Sequence, residues 1–456
     1  MQQNIESQGV KGGLAGPGGY REVWLLAYPI VITMLSRTAM MFVDTAMVGR
    51  LGATELAAVG LAGILTWTLF SFFQGFLGSV NTFVAQRYGA GDRRGITVAA
   101  WQGLYLALGS YLIILVINLF TVPAFALMKP SPEVQRLGII YTQIRLCGGI
   151  TVFISFGMAS FLRGIGDTKT PMRIEIVANL VNLLLDYLLI FGKFGCPRLE
   201  IVGAAIATLI AGVVAVICYF AVFLSRKSDR AFQTRSHFQI DSRDLRRILR
   251  IGLPMGVHNL MDMGSFTVFV ALVGRMGDIA LAANNAGVTL ISTSFMPLYG
   301  ISMAATTLVG HYIGSGQLHY ARRSGYTAIK LGVVYTFFVA IAFFAVPEFL
   351  ISLVTPDAEV IRLGTRLLFF AALFQLSDGF GICASGALKG AGDTFFTMCV
   401  SIGYAWLLFL PLAYSLAFLL GYGVPGAWCG ATIYIILAGI TYFLRFRSDR
   451  WERIRI

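Results

Sequence analysis

Long apolar segments recur along the whole chain, and they limit its fold more strictly than any other feature of the sequence. A helix needs roughly twenty mostly apolar residues to cross the hydrocarbon core of a bilayer. Such segments are found near residues 23–49, 54–85, 96–122, 137–162, 172–192, 201–224, 251–274, 279–310, 324–346, 363–388, 395–420 and 425–444. The sequence therefore predicts an all-α polytopic membrane protein with twelve transmembrane helices.

The composition excludes a water-soluble protein. Of the 456 residues, 57% are hydrophobic and 12% are charged, whereas about a quarter of a soluble domain is charged. The short alternating segments of a membrane β-barrel are absent. Residues 1–20 are polar and glycine-rich and lack an apolar core, so we expect no cleavable signal peptide and predict a disordered cytoplasmic tail.

The net charge of +13 raises the question of nucleic-acid binding, and the distribution of charge argues against it. With a cytoplasmic N-terminus, about 24 of the 35 Lys and Arg fall in cytoplasmic segments and about seven in external ones, as the positive-inside rule requires. We predict both termini in the cytoplasm and no nucleic-acid partner. Scattered cysteines and histidines give no disulfide framework, metal site or cofactor motif.

An internal repeat organises the chain. At an offset of 225 residues Pro29 matches Pro254, and GRLG at residues 49–52 matches GRMG at residues 274–277. With one extra residue, LRGIGDT in the first half matches LKGAGDT in the second. Each copy holds six spans, an even number, so the two copies start on the same side and are parallel repeats related by a pseudo-two-fold axis along the membrane normal.

The repeat predicts a division into lobes and connecting segments. We expect a tail at 1–20, an N-lobe at 21–225, a cytoplasmic linker at 226–247, a C-lobe at 248–445 and a basic cytoplasmic tail at 446–456. The segment DLRRILR in the linker favours a short amphipathic helix at the membrane interface. The glycines of GAGD and GIGD suit turns with positive φ.

The aspartates that follow such turns, Asp167 and Asp393, are expected to cap the next helix.

Polar side chains inside the spans are the candidate functional residues. An ionised Asp44 at mid-membrane would cost on the order of 3 kcal/mol, so it must be solvated, paired or protonated. Four residues of span 5 fall at i, i+4, i+7 and i+11, on one helical face: Glu175, Asn179, Asn182 and Asp186. Asp44 and Asp186, with the two asparagines, predict either an oxygen cage for a small cation or carboxyl groups that share a proton. Glu175 lies near the cytoplasmic end of the span and is expected at the membrane interface.

Arginines within the spans offer a structural alternative. Arg37 lies seven residues before Asp44 on the same helical face, so an ion pair between them is possible. Arg145 and Arg366 are expected to extend toward the outer membrane surface.

The second half carries its acids at other positions. Asp262 lies in span 7 and Asp378 in span 10. The repeat aligns Asp262 with Arg37 and Asp44 with Phe269, so neither acid is duplicated. A requirement of the fold should appear in both copies, and this asymmetry therefore favours a role in function.

Other polar residues of the spans could line a substrate cavity. These candidates are Asn259, Asn284, Asn285, Gln74 and Arg37.

Together the segments PIVITMLSRTAMMFVDTAMVGRLG, NTFVAQRYGAGD, FLRGIGDTKTPM, NLVNLLLDYLLIFG and ALKGAGDT resemble the multidrug and toxic compound extrusion (MATE) family. The resemblance covers nearly the whole chain. It implies two six-helix lobes in a V-shaped arrangement in the bacterial inner membrane. It also implies an antiporter, not an enzyme, that exports amphipathic and often cationic drug-like compounds in exchange for Na⁺ or H⁺.

The resemblance carries over to particular acids. Asp44 matches an aspartate common to the family, and Asp186 with its two asparagines matches the cation site of the DinF-like and archaeal branch. Asp262 and Asp378 match acidic positions of the Na⁺-coupled NorM-like branch, where the first is usually a glutamate. The coupling ion therefore stays open, no other cofactor is implied, and we expect a monomer.

Two alternatives belong to other functional classes. A flippase for lipid-linked oligosaccharides has similarly repeated spans, and it would need several arginines in its cavity. An intramembrane enzyme could use Asp262 and Asp378 as a catalytic pair, because hydrolytic dyads need two close carboxyl groups.

Overall fold

The computed structural model describes residues 16–454, almost all of them in helices. Eleven helices in this part of the chain are long and apolar enough to cross a membrane. Two shorter helices, Pro132–Cys147 and Gly149–Gly164, meet at an angle of 43° and together form one more span. The predicted twelve-span, all-α architecture is confirmed, and the fourth span is a broken helix.

The described chain begins with ten helices, the last of which contains the first span of the second repeat. They are α1 Tyr20–Gly49, α2 Ala53–Gly89, α3 Arg93–Asn118, α4 Thr121–Met128, α5 Pro132–Cys147, α6 Gly149–Gly164, α7 Lys169–Phe191, α8 Glu200–Phe223, α9 Arg226–Phe232 and α10 Ser242–Gly274.

The second half continues with further spans, one of which contains π-helical turns. Its elements are α11 Asp278–Gly314, α12 Leu318–Ala345, α13 Pro347–Ser352, α14 Ala358–Ala391, α15 Thr394–Ile402, the π-helical turns Gly403–Phe409, α16 Leu410–Tyr414, the π-helical turns Ser415–Leu419, α17 Gly423–Arg447 and a 3₁₀ turn Arg450–Arg453.

Contacts among the helices divide the described chain into two compact units. We call residues 32–88 and 92–264 the N-unit, and residues 16–31, 89–91 and 265–454 the C-unit. The divisions fall inside α1 and α10, the first helix of each repeat, and not in the linker. The lobe boundaries expected from the sequence stay a prediction.

Small residues allow close helix contact within the N-unit. A Cβ atom added to Gly256 of α10 would lie 2.8 Å from the carbonyl oxygen of Phe72 in α2, and one added to Gly252 would lie 2.8 Å from that of Phe76. Helices in a membrane associate through such close backbone approach, because lipid is as apolar as their side chains. The glycines of GLPMG therefore fix how α10 packs on α2.

The linker is tied to the N-unit by hydrogen bonds. The Trp101 indole N–H donates to the carbonyl oxygen of Thr234 at 2.9 Å, and the Gln102 amide donates to that of Gln239 at 2.9 Å. Arg87 pairs with Asp244 at 2.6 Å. The predicted amphipathic helix DLRRILR is therefore not separate: it forms the first turns of α10.

Two loop predictions have different outcomes. Asp167 caps the first turn of α7, because its Oδ1 accepts the backbone N–H of Thr170 at 3.0 Å. Asp393 makes no such bond and instead pairs with Arg445 at 2.7 Å. The glycines behave as expected, with a φ of 84° at Gly166 and 88° at Gly392.

The glycine-rich start of the chain is ordered where the structure describes it. The Gly18 N–H donates to Glu22 Oε2 at 2.7 Å and to the Tyr312 hydroxyl at 3.1 Å. The Thr327 hydroxyl donates to the Gly18 carbonyl at 2.8 Å. Residues 16–19 thus form a turn bonded within the C-unit, although composition predicts disorder, and residues 1–15 lie outside the described part.

The other end of the chain also folds back within the C-unit. Trp451 is fully buried and stacks on Phe446, with ring centroids 5.2 Å apart. Arg322 of α12 pairs with Asp449 at 3.0 Å and with Glu452 at 2.8 Å. The basic tail expected from the sequence therefore begins as a packed turn.

We predict that Gly256→Val destabilises the protein by about 1–3 kcal/mol, because the added atoms overpack the contact with α2. Gly63→Val is the matched control, since a Cβ at Gly63 meets nothing within 4 Å. Thermal unfolding in detergent should show a lower midpoint for the first variant only. Equal midpoints would show that the α2–α10 contact is not tight.

Candidate cation site

Helices α1 and α7 bring two acidic side chains together in the N-unit. The carboxyl groups of Asp44 and Asp186 lie close enough to share a hydrogen bond, and the Asn182 amide donates to Asp186 Oδ2. Asp186 is only 1% exposed and Asn182 5%. Two carboxyl groups held this close are stabilised by a proton or a cation between them, so the pair is suited to bind a small positive charge.

Each of these carboxyl groups also keeps one oxygen unused. Asp44 Oδ1 and Asp186 Oδ1 are buried and accept no hydrogen bond from any described residue. Buried polar atoms are normally paired, and an unpaired one calls for an explanation such as an ion or a water molecule. The residues present therefore fit a cation or proton site.

The polar stripe of α7 faces α1, but its two N-terminal members, Glu175 and Asn179, contact other side chains and not the acidic pair. The Asn179 amide donates to the Ser36 hydroxyl at 2.8 Å. Glu175 Oε2 lies 3.9 Å from Arg37 Nε, and Glu175 Oε1 accepts a bond from the Tyr219 hydroxyl at 3.4 Å. The structure thus pairs Arg37 with Glu175, and not with Asp44 as the structural alternative supposed.

Arg145 is the residue that sequence reasoning missed. It was expected to reach the membrane surface, yet its Nε is buried without a hydrogen-bond partner among the described residues. Its guanidinium interacts electrostatically with Asp44 and Asp186. The hydropathy pattern places the start of span 4 near residue 137, but α5 begins at Pro132, and Arg145 is therefore deeper in the span than expected.

The polar residues of α10 form a second group in the N-unit. His258 Nε2 lies 3.3 Å from Asp262 Oδ2, one turn along the same helix. Asn259 donates to the carbonyl oxygen of Ser71 in α2 at 3.3 Å, and Gln74 is half-buried on that helix. Asp262 is 37% exposed, and His258 is a partner that the sequence did not indicate.

In the C-unit, Asp378 is half-buried on α14. One turn earlier, the buried Gln375 amide donates to the Ser294 hydroxyl at 3.3 Å, and the Tyr335 hydroxyl donates to the Ser294 carbonyl at 2.9 Å. No sequence signal had singled out Gln375 or Tyr335, since single polar residues are common in such spans. Asp378 therefore lies one helical turn from a group of hydrogen-bonded side chains in the C-unit.

The two asparagines of α11 have different environments in the C-unit. Asn284 is fully buried, and its Oδ1 accepts the Trp428 indole N–H at 3.1 Å. Asn285 is exposed. Asn284 therefore belongs to the packing between α11 and α17, whereas Asn285 lies on the surface of the unit.

The repeat position of Asp44 holds an apolar residue in the C-unit. Phe269 is 3% exposed and packs between Phe409 and Trp428, with ring centroids 5.2 Å and 6.3 Å away. The second copy thus has packed aromatic side chains at the position where the first copy has its acidic pair. This difference supports the view that the fold does not need Asp44.

The MatE family model matches the chain twice, over residues 29–188 and 254–415. The chain is a member of the MatE family. The two matches begin 225 residues apart, which is the offset of the internal repeat (254 − 29 = 225). The resemblance to the multidrug and toxic compound extrusion family is therefore confirmed, together with the duplication of the six-helix unit.

Curated relatives from bacteria match almost the whole chain. It is 31% identical over 433 residues to a protein of Bradyrhizobium diazoefficiens named probable multidrug resistance protein NorM, covering 93% of this chain and 92% of that one. A Pseudomonas aeruginosa protein of the same name is 31% identical over 443 residues, covering 94% and 89%.

Solved structures share the fold. An outward-facing multidrug resistance MATE family transporter of the MOP superfamily superposes with a TM-score of 0.85 at 24% identity, covering 97% of this chain and 98% of that one. A MATE structure in the bent conformation gives a TM-score of 0.87 at 23% identity, covering 96% of both chains.

We predict that dicyclohexylcarbodiimide, which modifies protonated carboxyl groups in apolar surroundings, labels Asp44 or Asp186 in the membrane. Asp393 is the control, because it is buried but forms an ion pair with Arg445 at 2.7 Å. Peptide mass spectrometry should locate the label on Asp44 or Asp186, and the extent of labelling should fall at alkaline pH. Labelling of Asp393 alone would contradict a shared proton at the pair.

Proposed function

We propose that this MatE-family protein is a secondary active antiporter that exports amphipathic, often cationic organic compounds in exchange for Na⁺ or H⁺. The names of its relatives support drug export, and those relatives cover nearly the full chain. The observation that carries the exchange mechanism is the Asp44–Asp186 pair, which joins two membrane spans and has two buried oxygens that accept no hydrogen bond from any described residue. Such a pair can bind and release one positive charge.

The geometry suggests how a cation would drive the cycle. With a proton or Na⁺ bound, the negative charges of Asp44 and Asp186 are neutralised, and α1 and α7 can pack closely at this level. Without it, like charges repel and the two helices favour a more open packing. An equilibrium between two helix arrangements is thereby linked to cation occupancy, which is the requirement for coupling.

The membrane potential can supply the free energy. One elementary charge that moves through 100 mV releases about 2.3 kcal/mol. A differential affinity of this size shifts a two-state equilibrium substantially. We place the protein in the bacterial inner membrane with both termini in the cytoplasm, acting as a monomer with no cofactor besides the coupling ion.

The test is transport by purified full-length protein in liposomes with imposed pH and sodium gradients. Asp44→Asn and Asp186→Asn should each lower ion-driven exchange of a fluorescent cationic dye by roughly tenfold or more, about 1.4 kcal/mol of coupling. Glu133→Gln is the control, since Glu133 is an exposed acid paired with Arg136.

Several outcomes would refute the proposal. Undiminished exchange in both asparagine variants would remove the acidic pair from the mechanism. A chemically altered dye would favour the enzyme alternative. Movement of a lipid-linked oligosaccharide without any ion gradient, and no dye export, would favour the flippase.

A further inference from the structure

A cluster of mostly apolar side chains lies next to the acidic pair in the N-unit and shows which residues of the neighbouring helices lie at the same depth. Val48 of α1 and Ile190 of α7 are buried against Ile201 of α8, and Tyr141 of α5 packs on the same cluster. We call these four residues the apolar layer. Three of the helices that form this layer carry a charged residue one helical turn away from it, on the same side.

On α1 that residue is Asp44, four positions before the layer, and on α7 it is Asp186, also four before. On α5 it is Arg145, four positions after the layer. Successive spans alternate in direction, so α5 runs opposite to α1 and α7, and the three steps lead the same way. The helical register therefore places the guanidinium beside the two carboxyl groups.

Burial and electrostatics agree with this register. Arg145 interacts with both acids and with Tyr141. Among the described residues it forms no ion pair within 4.0 Å, and its Nε is buried without a partner. The positive charge of Arg145 is thus close to the acidic pair but forms no direct salt bridge with either acid. This arrangement differs from the Arg37–Glu175 pair further along α1 and α7, where the Nε–Oε2 distance is 3.9 Å.

Few other groups can affect the charge at this site. Among residues 16–454, the titratable or charged side chains that face the pair are Arg145 and Tyr141 of α5. Residues 201–211 of α8, next to the apolar layer, contain no titratable side chain, and neither do residues 59–70 of α2. The net charge of the site is therefore set by two acids and one arginine.

We infer, on the basis of the proposed antiport, that Arg145 acts as a fixed internal cation that makes the Asp44–Asp186 site selective for H⁺ over Na⁺. With both acids ionised, the site has a net charge of −1, and a single proton shared by the carboxyl groups brings it to zero. The proton sits on a carboxylate oxygen and needs no further ligands.

A sodium ion meets two obstacles at the same place. Its charge would stand beside the guanidinium in surroundings of low dielectric constant, where like charges repel strongly. It also needs several oxygen ligands, while Asn182 directs its amide N–H, and not its oxygen, at Asp186. Arg145 is thus a specificity-determining residue, which acts through the two acids that bind the ion.

The experiment compares the wild type, Arg145→Gln and Arg145→Lys in liposomes, with either a pH gradient or a sodium gradient imposed alone. The wild type and the lysine variant should export dye under the pH gradient and not under the sodium gradient. Arg145→Gln should raise the ratio of sodium-driven to proton-driven rates by roughly tenfold or more. Rescue by lysine separates a role of charge from a merely structural one.

Equilibrium binding of ²²Na⁺ to detergent-purified protein gives a second readout that does not depend on transport. Binding is expected for Arg145→Gln at alkaline pH and not for the wild type or Arg145→Lys. Sodium-driven exchange by the wild type, or equal sodium binding in all three proteins, would overturn the role of Arg145.

Asp44→Asn separates the two proposals. If it keeps full ion-driven exchange, the proposed site itself fails. If it abolishes exchange while the wild type is driven by sodium, only the selectivity assigned to Arg145 fails.

Discussion

Helices that are already in a bilayer gain no hydrophobic free energy by leaving lipid for one another, so close backbone contact must hold this protein together. Gly252 and Gly256 provide that contact in the N-unit, where α10 meets carbonyl groups of α2. Within the same unit, α1 and α7 bring two carboxyl groups together inside the membrane. Burying them while they are charged is unfavourable, and a shared proton or a bound cation would lower that cost.

The internal repeat separates what the fold requires from what function requires. Both copies keep the glycine turns, but only the first has an acid at Asp44, while the second buries Phe269 against Phe409 and Trp428. A duplicated scaffold can thus specialise one copy for ion binding and seal the other. Asp378, with Gln375 one turn away, shows that the C-unit has polar features of its own.

Much of this could be predicted from sequence, because apolar length and helical periodicity are local properties. The spans, the repeat, and the shared face of Asn182 and Asp186 follow from them. The partner of Arg37 could not be predicted, because it depends on how α7 packs against α1. The depth of Arg145 could not be predicted either, because it depends on where the broken fourth span begins. Composition also misled at residues 16–19, where glycine supplies a turn and not disorder.

The last turn of the chain has a practical consequence. Trp451 is buried against Phe446, and Asp449 and Glu452 pair with Arg322 of α12, so residues 449–452 pack against α12 and α17. Deleting residues 449–452 would remove the indole that covers Phe446 and would leave Arg322 without these two ion-pair partners. Fusion partners and purification tags placed after this turn therefore need a spacer, since a bulky domain joined directly to it would disturb the packing of Trp451.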